Sequence, residues 1–250
     1  MSTKSASSRD LRPRYGVDAP GVMWGLLGSG LGFLLLGFAC RVFFRVPWTA
    51  WTLQPVFFVA AGVLLFLFSC MTAYALNGKI RQRDFMLSRV QWRGDEQVLD
   101  IGTGRGLLLV GAAKRLKTGK AIGIDVWRSE DLSANTPDAA RRNAELEGVA
   151  SLVEVRDGDA RDLAFADDSI DVVLSLLCIH NIEPEEGRVV ACREIARVLK
   201  LGGTALIGDY LPTHNYAKTL AEAGLHVVSS RSYFGTALGL MWMVEAVKPE

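Results

Sequence analysis

The sequence predicts an α/β fold in which a doubly wound, mostly parallel sheet follows two transmembrane helices. Two patterns predict this arrangement. Strand-like and helix-like segments alternate from residue 95 to the end of the chain, which is typical of a parallel sheet with helices on both faces. Before them, residues 21–44 and 56–76 form two apolar runs with almost no charge, each long enough to cross a bilayer. The 250 residues leave room for one such domain and a small additional segment.

The first part of the chain divides into a tail and a hairpin. Residues 1–20 are Ser-rich and basic, and we predict a flexible tail there. Residues 21–76 are predicted to form a transmembrane helical hairpin, and its connection at 45–55 contains Pro47 and Pro55 as helix breakers. The alternative is a pair of buried core helices, which a protein of this size has little room to cover.

Basic residues predict the orientation of this hairpin. Lysine and arginine are more frequent in the tail and after the second apolar run than in the loop between the runs. This bias predicts that both termini and the following domain are cytoplasmic. Residues 77–94 interleave apolar and basic side chains, which predicts an amphipathic linker helix. Such a helix can lie on the membrane surface, pack on the following domain, or do both.

Residues 95–250 are predicted to form the α/β domain, with boundaries taken from apolar runs, capping residues and breaks at glycine or proline. The predicted strands are 97–101, 121–126, 152–156, 170–176, 204–208, 225–230 and 240–247. The predicted helices are 106–117, 137–147, 184–199 and 216–223. Thr136 is the predicted N-cap before Pro137, and Gly148 is the predicted stop of that helix.

Composition limits the classes of function. The formal net charge is +1, and no basic stripe interleaved with aromatic residues marks the domain, so nucleic acid is not an expected partner. The 4 cysteines form no closely spaced pair. We therefore expect them to be buried small side chains, and we expect neither a disulfide framework nor a metal site.

A glycine-rich turn follows the first predicted strand of the domain, in the segment 98–106. It reads Asp-x-Gly-x-Gly-x-Gly, with Asp100 at the strand end and Gly102, Gly104 and Gly106 in the turn. Such a turn lets a nucleotide approach the backbone and the start of the next helix. The usual dinucleotide turn has glycine where Asp100 stands, and a carboxylate there repels pyrophosphate but attracts an ammonium group. The turn therefore favours S-adenosylmethionine (SAM) over a nicotinamide dinucleotide.

Two further aspartates follow later strands of the predicted sheet. Asp125 ends the second strand, about twenty residues past the turn, where a carboxylate can accept two ribose hydroxyls. Asp159 lies in the sequence Gly158-Asp159-Ala160 after the third strand, where it can accept from an adenine amino group. Taken alone, each is also compatible with a strand-end cap or a turn. In register with the glycine turn, they predict one ligand site.

The segments 98–106, 158–160, 171–175 and 198–203, together with Asp125, resemble the ordered motifs of class I SAM-dependent methyltransferases. The most similar branch is the small-molecule type related to quinone-ring methyltransferases. The resemblance implies a Rossmann-like, seven-stranded sheet with the last strand antiparallel, and SAM as the cofactor. The cofactor-binding residues that it implies are Asp100, Gly102, Thr103, Gly104, Gly106, Asp125, Val126, Asp159, Ala160 and Leu176.

The implied reaction moves an already activated methyl group, so the protein must mainly position the acceptor. A base is needed only if the acceptor loses a proton. His180, just after the fourth strand, is the predicted catalytic base, although it could instead only pack within the cofactor loop. Tyr210 and His214 follow the fifth strand and could also face the acceptor. Cys178 is not an expected nucleophile, because this chemistry needs no covalent enzyme intermediate.

Together these predictions describe a membrane-anchored SAM-dependent methyltransferase whose acceptor is small and lipophilic. The alternative is a membrane protein that binds SAM or a nucleotide without catalysis, as a sensor or scaffold. A nicotinamide-linked oxidoreductase is disfavoured by Asp100. Neither the identity of the acceptor nor the oligomeric state is predicted.

Overall fold

The computed structural model describes residues 12–43, 47–235 and 240–250. Its largest element is one seven-stranded sheet. The strands are β1 (Gln97–Ile101), β2 (Lys120–Asp125), β3 (Val153–Asp157), β4 (Ile170–Leu176), β5 (Leu199–Asp209), β6 (His226–Phe234) and β7 (Leu240–Val247). Their order in the sheet is β3-β2-β1-β4-β5-β7-β6. The β7 strand runs antiparallel to β5 and β6, whereas β1 to β5 pair in parallel, which confirms the predicted sheet.

Helices precede the sheet and connect its strands. They are α1 (Pro20–Phe43), α2 (Pro47–Ala73), α3 (Lys79–Leu87), α4 (Leu107–Ala113), α5 (Pro137–Leu146), α6 (Glu185–Val198) and α7 (His214–Glu222). The central strands are buried on both faces, as in other parallel sheets, and one apolar core lies on each side of them. At the start of α5, the Thr136 hydroxyl accepts from the Ala139 N–H at 3.2 Å, and Pro137 follows as predicted.

Three predicted boundaries in the domain are wrong by four or five residues. Strand β6 ends at Phe234 instead of residue 230. Helix α4 ends at Ala113 instead of residue 117, because the N–H groups of residues 117–119 all bond to the Gly94 carbonyl instead of continuing the helix. Strand β5 begins at Leu199 instead of residue 204. The predicted turn at 201–203 lies within this strand, where Gly202 takes a φ of 75° and its N–H donates to Lys248 at 2.8 Å.

The two long apolar helices form a hairpin. Phe33 on α1 stacks on Phe57 of α2 with 6.0 Å between ring centroids, and Phe38 meets Phe58 edge-on at 5.3 Å. Both helices are long and apolar enough to cross a membrane. The predicted break at Pro55 is wrong, because α2 begins at Pro47 and continues through Pro55. Proline suits the first turn of a helix, and within it removes one backbone hydrogen bond without necessarily ending the helix.

Helix α2 continues through a π-helical turn, Tyr74–Gly78, directly into α3. Met86 and Leu87 of α3 are buried in one of the two cores of the sheet. The segment 77–94 therefore packs on the domain, one of the two arrangements considered for it, and its helix ends at Leu87.

Residues 14–19, which we call the N-terminal strap, lie across the domain. Hydrogen bonds to the domain hold the strap, among them Arg14 N–H to Asn143 Oδ1 (2.9 Å), Tyr15 hydroxyl to Glu147 Oε1 (3.0 Å), Val17 N–H to Ser133 Oγ (2.8 Å) and Ala19 N–H to Asp131 O (2.9 Å). The prediction of a flexible tail is therefore wrong for the strap, because a sequence pattern does not reveal such distant partners. Residues 1–11 of that tail lie outside the described residues.

Candidate active site

A cleft opens at the carboxyl edge of the sheet, between the loops that follow β1, β2, β3 and β4. The neighbouring strands β1 and β4 are connected in opposite directions along the sheet, and ligands bind at such a switch point in open α/β sheets. Seven predicted cofactor residues line this cofactor cleft: Gly102, Gly104, Asp125, Val126, Asp159, Ala160 and Leu176. An adjoining space, the strap cavity, is lined by Asp100 and Thr103. Gly106 lines neither space in the described structure and instead precedes α4 with a φ of 80°.

Asp100 is buried at the end of β1, with 1% of its surface exposed. One carboxylate oxygen accepts from the Thr103 hydroxyl at 2.8 Å and from the Leu109 N–H at 2.9 Å. Burial raises the pKa of Asp100 to about 7, and these two hydrogen bonds oppose that rise. The carboxylate thus holds the glycine turn against α4 and also borders the strap cavity, where a cation would favour its ionised form.

The glycine turn adopts backbone angles that favour glycine. Gly102 has a φ of 71° and Gly104 a φ of 54°. A Cβ on Gly102 would lie 2.3 Å from the Cys178 Sγ, and a Cβ on Gly104 would lie 2.7 Å from Leu132. The turn can therefore take this path and leave space for a ligand only with glycine at both positions.

Asp125 connects the glycine turn to the loop after β2. One of its oxygens accepts from the Gly104 N–H at 2.8 Å. The other accepts from the Trp127 N–H at 2.6 Å and from the Asn135 side-chain amide at 3.3 Å. The carboxylate is therefore fixed at the edge of the cleft, as a ribose-binding group must be.

Asn135 is a site residue that sequence reasoning missed. It lines the cofactor cleft beside Asp125, and its buried Oδ1 has no hydrogen-bond partner among the described residues. A buried oxygen of this kind is costly unless a ligand or water donates to it. Asn135 lies in the long, polar loop 127–135, where no motif or regular spacing marks a ligand residue.

Asp159 lines the cofactor cleft in the loop that follows β3. Its carboxylate pairs with the Arg161 guanidinium at 2.6 Å, and this hydrogen bond lowers the pKa of Asp159. Ala160, directly after it, is buried. The indole N–H of Trp127 donates to Asp157 at 2.7 Å, whereas Val126 is 52% exposed at the rim of the cleft.

His180 lies beside the cofactor cleft but does not line it, although its neighbour Asn181 does. Its Nδ1 lies 3.0 Å and 3.1 Å from the two carboxylate oxygens of Asp209. Asp209 is fully buried and also accepts from the Tyr216 hydroxyl at 3.2 Å. The Tyr210 ring packs edge-on against the imidazole with 4.7 Å between centroids. The Asp209 carboxylate and the Tyr210 ring together therefore fix the orientation of the His180 imidazole.

The structure separates the other candidates from this group. His214 is exposed at the start of α7 and lines neither space in the described structure. Burial raises the pKa of the Cys178 thiol far above its usual value, which suppresses the thiolate that a nucleophile requires. Asp209 was missed by sequence reasoning. Its position as the last residue of β5, at the carboxyl edge, is the signal that could have found it.

The strap and the segment that follows α2 complete the strap cavity. Tyr15 and Asp18 of the strap line it, as do Tyr74 and Lys79 at the end of the hairpin. The Lys79 ammonium lies 2.9 Å from the Asp18 carboxylate and donates to the carbonyls of Tyr15 and Gly16 at 3.2 Å and 2.7 Å. The glycine turn and the apolar hairpin therefore border one shared space.

The charge of the cofactor cleft fits SAM. Its acidic lining residues are Asp18, Asp125, Asp131, Asp159 and Glu183, and its basic ones are Arg128 and Arg161. An excess of carboxylates suits a ligand with a sulfonium and an ammonium group, and it disfavours a pyrophosphate. The orphaned oxygen of Asn135, beside the fixed Asp125 carboxylate, suits a ligand with adjacent hydroxyl donors.

Comparison with known proteins agrees with this geometry. Residues 99–207 match the family model described as a methyltransferase domain. The chain is similar to the probable methyltransferase ltbC of Aspergillus luteorubrus, with 29% identity over 130 residues that cover 50% of this chain and 44% of that protein. It is 35% identical over 114 residues to the phosphatidylethanolamine N-methyltransferase of Cereibacter sphaeroides, which covers 46% of this chain and 50% of that protein.

The fold is likewise similar to that of solved structures. The YcgJ protein of Bacillus subtilis superposes with a TM-score of 0.54 at 16% identity, over 67% of this chain and 98% of that one. The chain spans about half the length of the curated relatives named above. Residues 99–207 therefore match a methyltransferase domain in sequence, and the domain that contains them has the fold of these solved structures.

Proposed function

We propose that the protein is a membrane-anchored methyltransferase that transfers a methyl group from SAM to a small, lipophilic acceptor. The observation that carries this proposal is the shared strap cavity. Tyr74 and Lys79, at the end of the apolar hairpin, line it together with Gly102 and Gly104 of the cofactor turn. A lipophilic molecule that is dissolved in a membrane around the hairpin would therefore be close to the methyl donor.

The surface of the hairpin supports the membrane anchor. Trp24 is 67% exposed, Leu35 69% and Phe66 66%, and such a continuous apolar surface is rare on soluble proteins. Helix α1 has 24 residues, which at the usual rise per residue span about 36 Å, more than the hydrocarbon core of a bilayer. The distribution of basic residues favours a cytoplasmic location for both termini and the domain.

The class of acceptor follows from this location and from one relative. The Cereibacter sphaeroides relative is named for phosphatidylethanolamine, a membrane lipid, so a similar domain acts on an acceptor found in membranes. Isoprenoid quinones, phospholipids and other hydrophobic metabolites belong to this class. The acceptor must present a nucleophilic atom that becomes methylated.

The residues of the chain have separate roles in this proposal. When bound, SAM supplies a sulfonium methyl group that is already activated for displacement. Asp125 and Asn135 bind the ribose hydroxyls, Asp159 accepts from the adenine amine, and the ionised Asp100 stabilises the ammonium group. Because Asp209 holds Nδ1 of His180, the neutral imidazole keeps its proton there and Nε2 takes the proton from the acceptor.

The alternative function is a sensor or scaffold that binds SAM without catalysis. The His180–Asp209 pair favours catalysis, because the buried carboxylate orients an imidazole beside the cofactor cleft, as a general base requires. A sensor would also bind SAM without transferring its methyl group to any membrane component.

The test uses the full chain in detergent and in its host membranes. Calorimetry measures SAM binding to the wild type, to Asp125→Ala and to a control, Asp138→Ala, whose carboxylate is 94% exposed on α5. Membranes that contain the protein receive methyl-labelled SAM, and label in the lipid extract is counted. We expect the wild type and Asp138→Ala to bind SAM equally and Asp125→Ala to bind it more weakly. We also expect label in a lipid-soluble product.

Three outcomes would contradict parts of the proposal. Equal SAM binding by the wild type and Asp125→Ala would refute the assigned cofactor site. SAM binding without any labelled product would support the sensor. Extraction of the full chain from membranes by alkaline carbonate would refute the transmembrane anchor.

A further inference from the structure

We propose that the carboxyl edge of the sheet lies against the lipid surface, and that an apolar rim beside the acceptor side of the site contacts lipid there. The rim consists of Tyr210, Leu211, Phe234 and Leu240. This inference rests on the proposed membrane anchor and adds the face and the depth at which the domain meets the membrane.

Exposed apolar side chains are concentrated at this edge. Among the described residues of the domain, eight large apolar side chains are exposed: Val126, Val190, Leu201, Tyr210, Leu211, Val228, Phe234 and Leu240. Five of them, Val126 and the four rim residues, follow, end or begin a strand at the carboxyl edge. Phe234 is 86% exposed and Tyr210 53%, a cost in water that contact with lipid would remove.

The apolar hairpin leaves the domain at the same edge. Helix α1 begins at Pro20, directly after Ala19, whose N–H bonds to Asp131 in the loop that follows β2. Helix α2 ends near Tyr74, which lines the strap cavity beside the glycine turn. The rim is therefore on the side of the domain from which both apolar helices project.

Strand register makes the rim protrude beyond the sheet. The last residue of β5, Asp209, pairs with Trp242, and Phe234 pairs with Leu240 two residues further along the β6–β7 hairpin. Two residues of strand correspond to about 7 Å. The ring centroids of Phe85 on α3 and Tyr233 on β6 lie 4.7 Å apart. This contact joins the β6–β7 hairpin to α3, the helix that continues from α2.

Charge at this edge is mixed: Glu130 and Glu183 are exposed in the loops after β2 and β4, and exposed arginines lie on α3 and β6. These arginines are Arg81, on the first turn of α3, and Arg231. Basic side chains next to a membrane-inserted segment are attracted to anionic headgroups. The rim residues Tyr210 and Leu211 directly follow Asp209, which holds His180. A lipophilic acceptor could then pass from the bilayer to the imidazole without crossing water.

The test places a fluorescent label at single cysteines of the full chain. The four native cysteines are free and are first replaced by alanine, and Phe234→Cys, Leu211→Cys and a control, Leu201→Cys, are then made. Leu201 is 62% exposed but lies in the first residues of β5, at the opposite edge. Each labelled chain is reconstituted in vesicles of phosphatidylcholine and phosphatidylglycerol that contain a lipid-borne quencher.

We expect at least twofold quenching at positions 234 and 211 and none at 201. Equal quenching at 234 and 201 would overturn the rim. Should the cysteine-free chain not fold, the unaltered chain is crosslinked to a photoactivatable phosphatidylcholine. Adducts are expected at 210–211 and 226–234 and not at 199–203, and the reverse distribution would overturn the proposal. Carbonate extraction and SAM calorimetry on the same samples report separately on the anchor and the cofactor site.

Discussion

The two halves of the proposed active site, one for the cofactor and one for the acceptor, are built in different ways. The cofactor half is lined by residues at the ends of β1, β2 and β3, each next to the strand that positions it. The acceptor half combines His180 after β4, Asp209 at the end of β5 and Tyr216 on α7, with Tyr74 from the apolar hairpin lining the adjoining cavity. A binding site for a common cofactor can thus be local, whereas the site for a particular acceptor draws on the whole fold.

This difference predicts which variants affect one half alone. Changes in the acceptor half should lower turnover and leave SAM binding unchanged. Changes in the cofactor half should alter SAM affinity or the stability of the turn. The predictions below run from the largest expected effect to the smallest.

The largest effect is expected from His180→Ala, which removes the proposed base. We expect kcat to fall by about 10²- to 10⁴-fold while the Kd for SAM stays unchanged. Asp209→Asn keeps the shape of the side chain but can no longer stabilise a protonated imidazole. It should therefore lower kcat and shift the dependence of kcat on pH. Label transfer to the lipid extract measures kcat, and calorimetry measures Kd. A parallel loss of SAM binding in His180→Ala would show that the two halves are not separable.

The second prediction concerns Gly102→Ala. A left-handed alanine costs about 1–2 kcal/mol, and crowding of the Cys178 side chain adds roughly 1–3 kcal/mol. The matched control is Gly148→Ala, which has a similar φ of 74° but no atom within 4 Å of the added Cβ. The variant should therefore melt several degrees below the control. Cys178→Gly, which removes the crowding atoms, should restore part of the difference, and equal melting of Gly102→Ala and the control would refute the close contact.

Asp125→Ala should weaken SAM binding without a comparable loss of stability. Hydrogen bonds to a charged group contribute about 1.5–3 kcal/mol, which corresponds to roughly 10- to 100-fold in Kd. Asp138→Ala serves as the control because its carboxylate is exposed on α5. An unchanged Kd in calorimetry would mean that the carboxylate only caps the glycine turn, which it also contacts at Gly104.

The smallest effect is a dependence of SAM affinity on pH. The pKa of Asp100 is raised to about 7, so its ionised fraction increases from pH 6 to pH 7.5. A cationic ligand favours the ionised form, so affinity should rise with pH, by about eightfold over this range if only that form binds. Asp100→Asn should give a flat profile when calorimetry is repeated at each pH. A wild-type affinity that falls with pH would place the SAM ammonium away from this carboxylate.

Most of the cofactor half could be predicted from the sequence, because consecutive motifs at strand ends necessarily meet at one edge of a parallel sheet. Gly106 is the exception, since it lines neither space in the described structure, although the same pattern suggested that it would. Asn135 was missed because it lies in a long loop without regular spacing. Asp209 was missed because its partner, His180, is 29 residues away, and no local pattern records their contact.

The sequence by itself determined the order of strands and helices, the glycine turn and the two apolar runs, because each depends on residues a few positions apart. Only the tertiary structure decided that the strap covers the glycine turn, that the apolar hairpin leaves the domain beside the cofactor, and that Asp209 holds His180. These contacts join residues far apart in the chain, so they depend on the order and register of the strands in the sheet and on the packing of α3 upon it.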